Sequence, residues 1–197
     1  MGSAWLGELL GTFFLIVFGC GVVANTLLSR SKGENGGWLS IVTGWAMAVM
    51  IGVFVAQSAG SMQADINPAV TLAKYILCVY DNLPQVLCLM LSQLLGAFLG
   101  AIVVWLIYLP HWKETTDPTK KLAVFSTAPA IRQIGANFLT ETLCTIILVM
   151  GIWAIFGEAT MGSPVNGLGP YLVGMLVWGI GLSFGGPTGY AINPARD

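Results

Sequence analysis

The string Ile-Asn-Pro-Ala occurs twice in the chain, at residues 66–69 and 192–195. Asn before Pro starts a helix, with the Asn side chain capping and the Pro in the first helical position. Asn67, Pro68 and Ala69 therefore open one helix, and Asn193, Pro194 and Ala195 a second. What such residues offer is hydrogen-bond donation from an uncharged amide, beside a helix end worth about half a positive charge. Arg196 follows the second box directly, Asp65 stands two residues before the first Asn, and Glu8 and Glu141 lie in apolar surroundings. No nucleophile stands with a base, so covalent catalysis finds no candidates and an enzyme is not expected. Cys20, Cys78, Cys88 and Cys144 sit in apolar runs without a C-x-x-C pair and read as buried small hydrophobes. His111 is the lone histidine, so no metal-ligand set forms. Residues 19–24 fit a loose dinucleotide fingerprint, but no strand precedes them. No cofactor is implied.

The elements that position these residues must lie in a bilayer. The chain is 56% hydrophobic and only 9% charged, with a mean hydropathy of +0.80, whereas soluble domains carry about 25% charged residues. A formal net charge of -1 gives no electrostatic footprint for nucleic acid. The amino-terminal apolar run has no basic leader or clear cleavage site, so it reads as a first span rather than a signal peptide.

Crossing the hydrocarbon takes about 20 helical residues. Residues 4–28, 38–57, 84–109, 135–156 and 170–184 read as five spans, the second opened by Trp38 as an interfacial aromatic. Residues 67–77 are too short to cross and read as a re-entrant half-helix, allowed only where protein or a cavity surrounds it. Residues 110–134 form a long polar loop, and Asn193 begins a second half-helix.

The two halves repeat. Glu8 precedes Asn67 by 59 residues and Glu141 precedes Asn193 by 52, with two spans in each interval. Three spans per half is odd, so the second half enters inverted, an arrangement used in transport. The expected fold is an all-α membrane protein: an inverted-repeat bundle of six spans and two re-entrant half-helices. It forms one domain over 1–197, with repeats at about 4–109 and 135–197. On that pattern a third span of the second repeat is expected beyond Asp197. The Gly-x-x-x-Gly spacings at 7–11 and 96–100 are expected to mark packing within the bundle.

Two Asn-Pro-Ala boxes inside inverted repeats make the chain resemble the aquaporins, and the acidic Asp197 after Arg196 resembles their glycerol-facilitator branch. The resemblance implies a selectivity filter of Trp45, Gly181, Tyr190 and Arg196, pore-lining carbonyls at Gln63, Ala64, Asp65, Gly189, Tyr190 and Ala191, and loop-supporting carboxylates at Glu8 and Glu141. It implies a passive, multi-pass channel of the plasma (inner) membrane, a homotetramer, passing glycerol or other small polyols and some water. The chemistry agrees: an aromatic corner of Trp45 and Tyr190 takes a polyol's carbons, Arg196 donates to its hydroxyls, and Gly181 leaves room. The opposed positive helix ends and Arg196 oppose protons and cations.

Asp65 departs from the family, which usually has His there; its side chain is expected to turn from the lumen and bond neighbouring backbone, the alternative being an altered solute preference or pH gating. Gln57 stands where a small residue is usual. Two other readings stand beside the first: a water-selective pore, and an ion- or proton-coupled transporter using Glu8, Asp65 and Glu141. The lack of a counter-charge near these acids argues against the last. Loop Lys and Arg residues alone put the amino terminus outside; the resemblance puts both ends in the cytoplasm.

Overall fold

The computed structural model describes residues 3–157 and 167–197. Among them the regular structure is helical throughout: α1 (Ala4–Leu27), α2 (Gly37–Ser58), α3 (Pro68–Ile76), α4 (Leu83–Ile107), α5 (Leu109–Glu114), α6 (Pro118–Ala123), α7 (Ile134–Phe156) and α8 (Leu168–Phe184). Helices α1, α2, α4 and α7 are long and apolar enough to cross a membrane. The expected fifth span is α8, which has 17 residues. At 1.5 Å per residue it reaches about 26 Å, slightly short of a typical hydrocarbon core.

The half-helix α3 has nine residues rather than the eleven expected. Its start is built as its sequence dictates: Asn67 is extended at φ -157°, its side chain accepts from the Ala69 amide, and Pro68 takes the first turn. The long polar loop contains two one-and-a-half-turn helices that had not been anticipated. Both begin at a proline signal, Leu109-Pro110 and Asp117-Pro118, and Asp117 caps the second by accepting from the Thr119 amide.

Helix α1 is the hub, packed between α2 and α4; α2 continues onto α8, and α8 onto α7. The approach of α4 to α1 needs glycine, since a Cβ on Gly96 would lie 2.2 Å from the Leu9 carbonyl oxygen. The 96–100 spacing therefore serves a helix crossing inside the bundle. Helix α7 buries only Cys144 and Leu148 and turns Ile134, Phe138, Met150 and Trp153 outward. Cys20 and Cys144 are buried as expected, but Cys78 and Cys88 are exposed. Cys78 lies beyond the end of α3 at a positive φ of 58°, and Cys88 points away from the α4 face that carries Leu89 and Gln93.

Candidate functional site

Each Asn-Pro-Ala box is preceded by a loop with the same unusual backbone. Ala64 and Ile66 have φ of 44° and 45°, and Tyr190 and Ile192 have 41° and 43°. These are the positions three and one before each Asn. A left-handed conformation costs a residue with a side chain about 1–3 kcal/mol and persists only where the surroundings over-determine it.

Buried carboxylates supply that support. Glu8, fully buried, accepts from the Asp65 amide (2.9 Å) and Ser61 Oγ (2.5 Å) on Oε1, and from the Ile66 amide (2.7 Å) and Gln93 Nε2 (2.7 Å) on Oε2. Glu141 accepts from the Ala191 amide at 3.2 Å and the Ile192 amide at 3.1 Å. In both halves the amides held are those two and one before the Asn. Among the described residues, Ser61 and Gln93 also donate to the first carboxylate.

The two boxes meet. Asn67 Nδ2 donates to the Ile192 carbonyl at 2.8 Å, and Asn193 Nδ2 donates to the Ile66 carbonyl at 2.9 Å. Each Oδ1 accepts from the amide two residues on, that of Ala69 at the start of α3 (2.9 Å) and that of Ala195 (3.0 Å), where residues 194–196 form a turn in place of the expected second half-helix. One N–H of each amide is thereby spent on the opposite loop, and a second remains for a passing hydroxyl.

Two cavities flank this centre. The larger, of about 660 Å³, runs past Asn67 and Asn193 and is also lined by Gln57, Gln63, Ala64, Asp65, Lys74 and Ala191. The smaller, of about 150 Å³, is lined by Trp38, Thr127 and Gly189 among others. Trp45, Tyr190 and Arg196 are the three residues that line both, so they form the septum between them. The Arg196 guanidinium carbon sits 4.5 Å from the Trp45 ring centroid, an arrangement that fixes the cation without neutralising it. Arg196 also contacts Asp197 Oδ1 at 3.3 Å, and that oxygen accepts from the Thr127 amide at 2.6 Å. Pro68, Ala69, Pro194 and Ala195 line neither cavity; the first two start α3 and the last two lie in the turn after Asn193.

Three expectations need correction. Gly181 lines neither cavity, because the Tyr190 ring takes the space it frees: a Cβ there would lie 2.8 Å from Tyr190 Cζ and 2.9 Å from its hydroxyl. The Gln63 carbonyl is engaged rather than free, since Lys74 Nζ donates to it at 3.3 Å and to Gln63 Oε1 at 2.9 Å. The Asp65 side chain is buried, and its partners are side chains rather than the backbone that was expected. Its Oδ1 pairs with Lys74 Nζ, and its Oδ2 accepts from Thr71 Oγ1 (2.9 Å) and the Tyr80 hydroxyl (2.8 Å). Asp65 therefore has the counter-charge that seemed missing.

Lys74, Thr71, Tyr80, Gln93 and Trp38 were not anticipated at the site. Thr71 and Lys74 are three apart on α3, a same-face spacing that could have been noticed beside Asp65. Gln93 links the two acids, donating from Nε2 to Glu8 and, at 2.9 Å, to Thr71 Oγ1. Trp38 was read as an interfacial anchor; its ring stands edge-on to Tyr190, with centroids 5.9 Å apart, and its Nε1 donates to the Gly181 carbonyl at 3.1 Å.

A bundle of apolar helices holding two cross-bonded Asn-Pro-Ala boxes is the architecture of one class of membrane channel, and comparison with known proteins agrees. The family model described as "Major intrinsic protein" matches residues 2–197, and the chain belongs to that family. It is 53% identical over 197 residues to a probable glycerol uptake facilitator protein of Thermotoga maritima, covering 99% of this chain and 80% of that one. It is 43% identical to the glycerol uptake facilitator protein of Bacillus subtilis, covering 99% of this chain and 69% of that one. Among solved structures, the aquaglyceroporin of Plasmodium falciparum superposes with a TM-score of 0.86 at 30% identity, over 98% of this chain and 76% of that one.

Proposed function

We propose that the protein is a passive channel for glycerol and related small neutral solutes, with some water, that excludes protons and ions. The observation that carries this reading is the septum: an aromatic pair, Trp45 and Tyr190, facing one fixed cation, Arg196, at the junction of two cavities. A polyol has one apolar edge and one row of hydroxyls, and such a corner binds the two edges at once. The names of the relatives support the same solute class. Asn67 and Asn193 offer the next donors along the lumen. The carbonyls of Ala64, Asp65, Gly189, Tyr190 and Ala191 are the acceptors, while that of Gln63 is held by Lys74.

Ion exclusion follows from charge. The start of α3, worth about half a positive charge, faces the lumen centre, and Arg196, paired with Asp197 at 3.3 Å, adds a guanidinium. The Asp65 carboxylate, which would oppose them, is fully buried and paired. Passage needs no covalent step and no cofactor. The working unit is a homotetramer in the plasma membrane.

Stopped-flow light scattering on proteoliposomes tests the reading. Glycerol permeability well above that of protein-free vesicles is expected, together with faster water flux. Fast water flux with glycerol no faster than protein-free vesicles would replace it with a water-selective pore.

A further inference from the structure

The Tyr190 ring is seated in a pocket, and two of the residues that make it have no role in the reading above. Gly185, just past the end of α8, lies under the ring: a Cβ there would come within 2.7 Å of Tyr190 Cδ1, 2.5 Å of Trp38 Cζ2 and 2.6 Å of the Gly181 carbonyl oxygen that Trp38 bonds. Gly181, one turn earlier, leaves the hollow that receives the ring's far end and hydroxyl. Trp38 closes the seat from α2 and is tied to α8 by its bond to the Gly181 carbonyl. The Tyr190 hydroxyl is buried and has no hydrogen-bond partner among the described residues. Volume rather than bonding therefore holds the ring. Its backbone is left-handed at φ 41°, a conformation maintained only by its surroundings.

From this we propose that Gly185 and Trp38 are specificity-determining positioning residues. They draw the Tyr190 ring back into the helix pair α2–α8, and the distance it is drawn back sets the width of the septum for a polyol. The inference rests on the glycerol-channel reading. Tyr190 shares the septum with Trp45 and Arg196, so any carbon added beneath the ring pushes it toward those two. Gly185 has an ordinary backbone, φ -73° and ψ -18°, which alanine can adopt. A substitution there acts through space and not through backbone strain.

The test compares glycerol with water permeability in proteoliposomes at matched protein content. G185A is expected to lower glycerol permeability about tenfold, the size of effect one methyl group has on a shaped apolar site, while water permeability changes little. Y190L removes the ring that Gly185 seats. Adding G185A to Y190L is then expected to change glycerol permeability by less than about twofold, the tolerance for uncoupled sites. If G185A does not fold, G181A applies the same push, because the atoms nearest its added carbon belong to the side chains of Tyr190 and Val42. A folded variant that lowers both permeabilities together, or that lowers glycerol equally with and without the Tyr190 ring, overturns the proposal. Wild-type vesicles showing no glycerol flux would instead overturn the channel reading itself.

Discussion

Asp65 and Lys74 can be buried only together. The carboxylate side chain is wholly shielded and the ammonium nearly so. Removing one partner of a buried pair costs about 3–5 kcal/mol, whereas removing both costs far less. K74M should therefore lower the thermal unfolding midpoint of the detergent-solubilised protein clearly, and D65N/K74M should recover most of the loss. Equal midpoints for the single and double variants would show that the pair is uncoupled. At this scale the chain was legible where it repeats itself. Asn67 and Asn193, and Glu8 and Glu141, announced themselves by appearing twice in matching positions. Asp65, which gathers Lys74 and Tyr80, is not matched by an acid in the second half, where Ala191 stands at its position. Trp38 went unrecognised for another reason: an aromatic at the end of a span fits the membrane interface equally well.

The half-helices depend on elements distant in sequence. Each strained loop takes its shape from a carboxylate on the first span of its own repeat, α1 for the first and α7 for the second. Among the described residues Glu8 accepts four hydrogen bonds and is fully buried, while Glu141 accepts two longer ones. E8Q turns one carboxylate oxygen into a donor facing donors, leaving about two buried groups unsatisfied at about 1–3 kcal/mol each. It should destabilise the protein by several kcal/mol, and E141Q by about half as much. Thermal or denaturant unfolding of the two variants in the same detergent checks the ranking, and an equal effect would contradict it. The existence of the half-helix could be read from Asn-Pro and from a run too short to span. The two helices in the 110–134 loop were hidden by their polarity, although their prolines marked the starts. Gly181 shows the opposite limit: its position was legible but its tenant was not, because only packing reveals that a ring, and not the lumen, occupies the space.

In the whole molecule, inverted symmetry and charge act together. The two repeats bring their Asn-Pro-Ala boxes face to face, and the cross-bonds between Asn67 and Ile192 and between Asn193 and Ile66 lock them there. Lys74 and Arg196 line the cavity that runs past the boxes, and among its described lining residues the one acid, Asp65, has its side chain buried and paired. Such a path conducts neutral solutes down their gradient and offers no carboxylate for a coupling ion to titrate in passing. A coupled transporter built on the same repeats would need one. The most direct measurement is the level at which labelled glycerol settles inside proteoliposomes held under an imposed proton gradient. Rapid equilibration to the external concentration, unchanged by a protonophore, is the predicted result. Accumulation above the external concentration that collapses when the protonophore is added would contradict passive conduction.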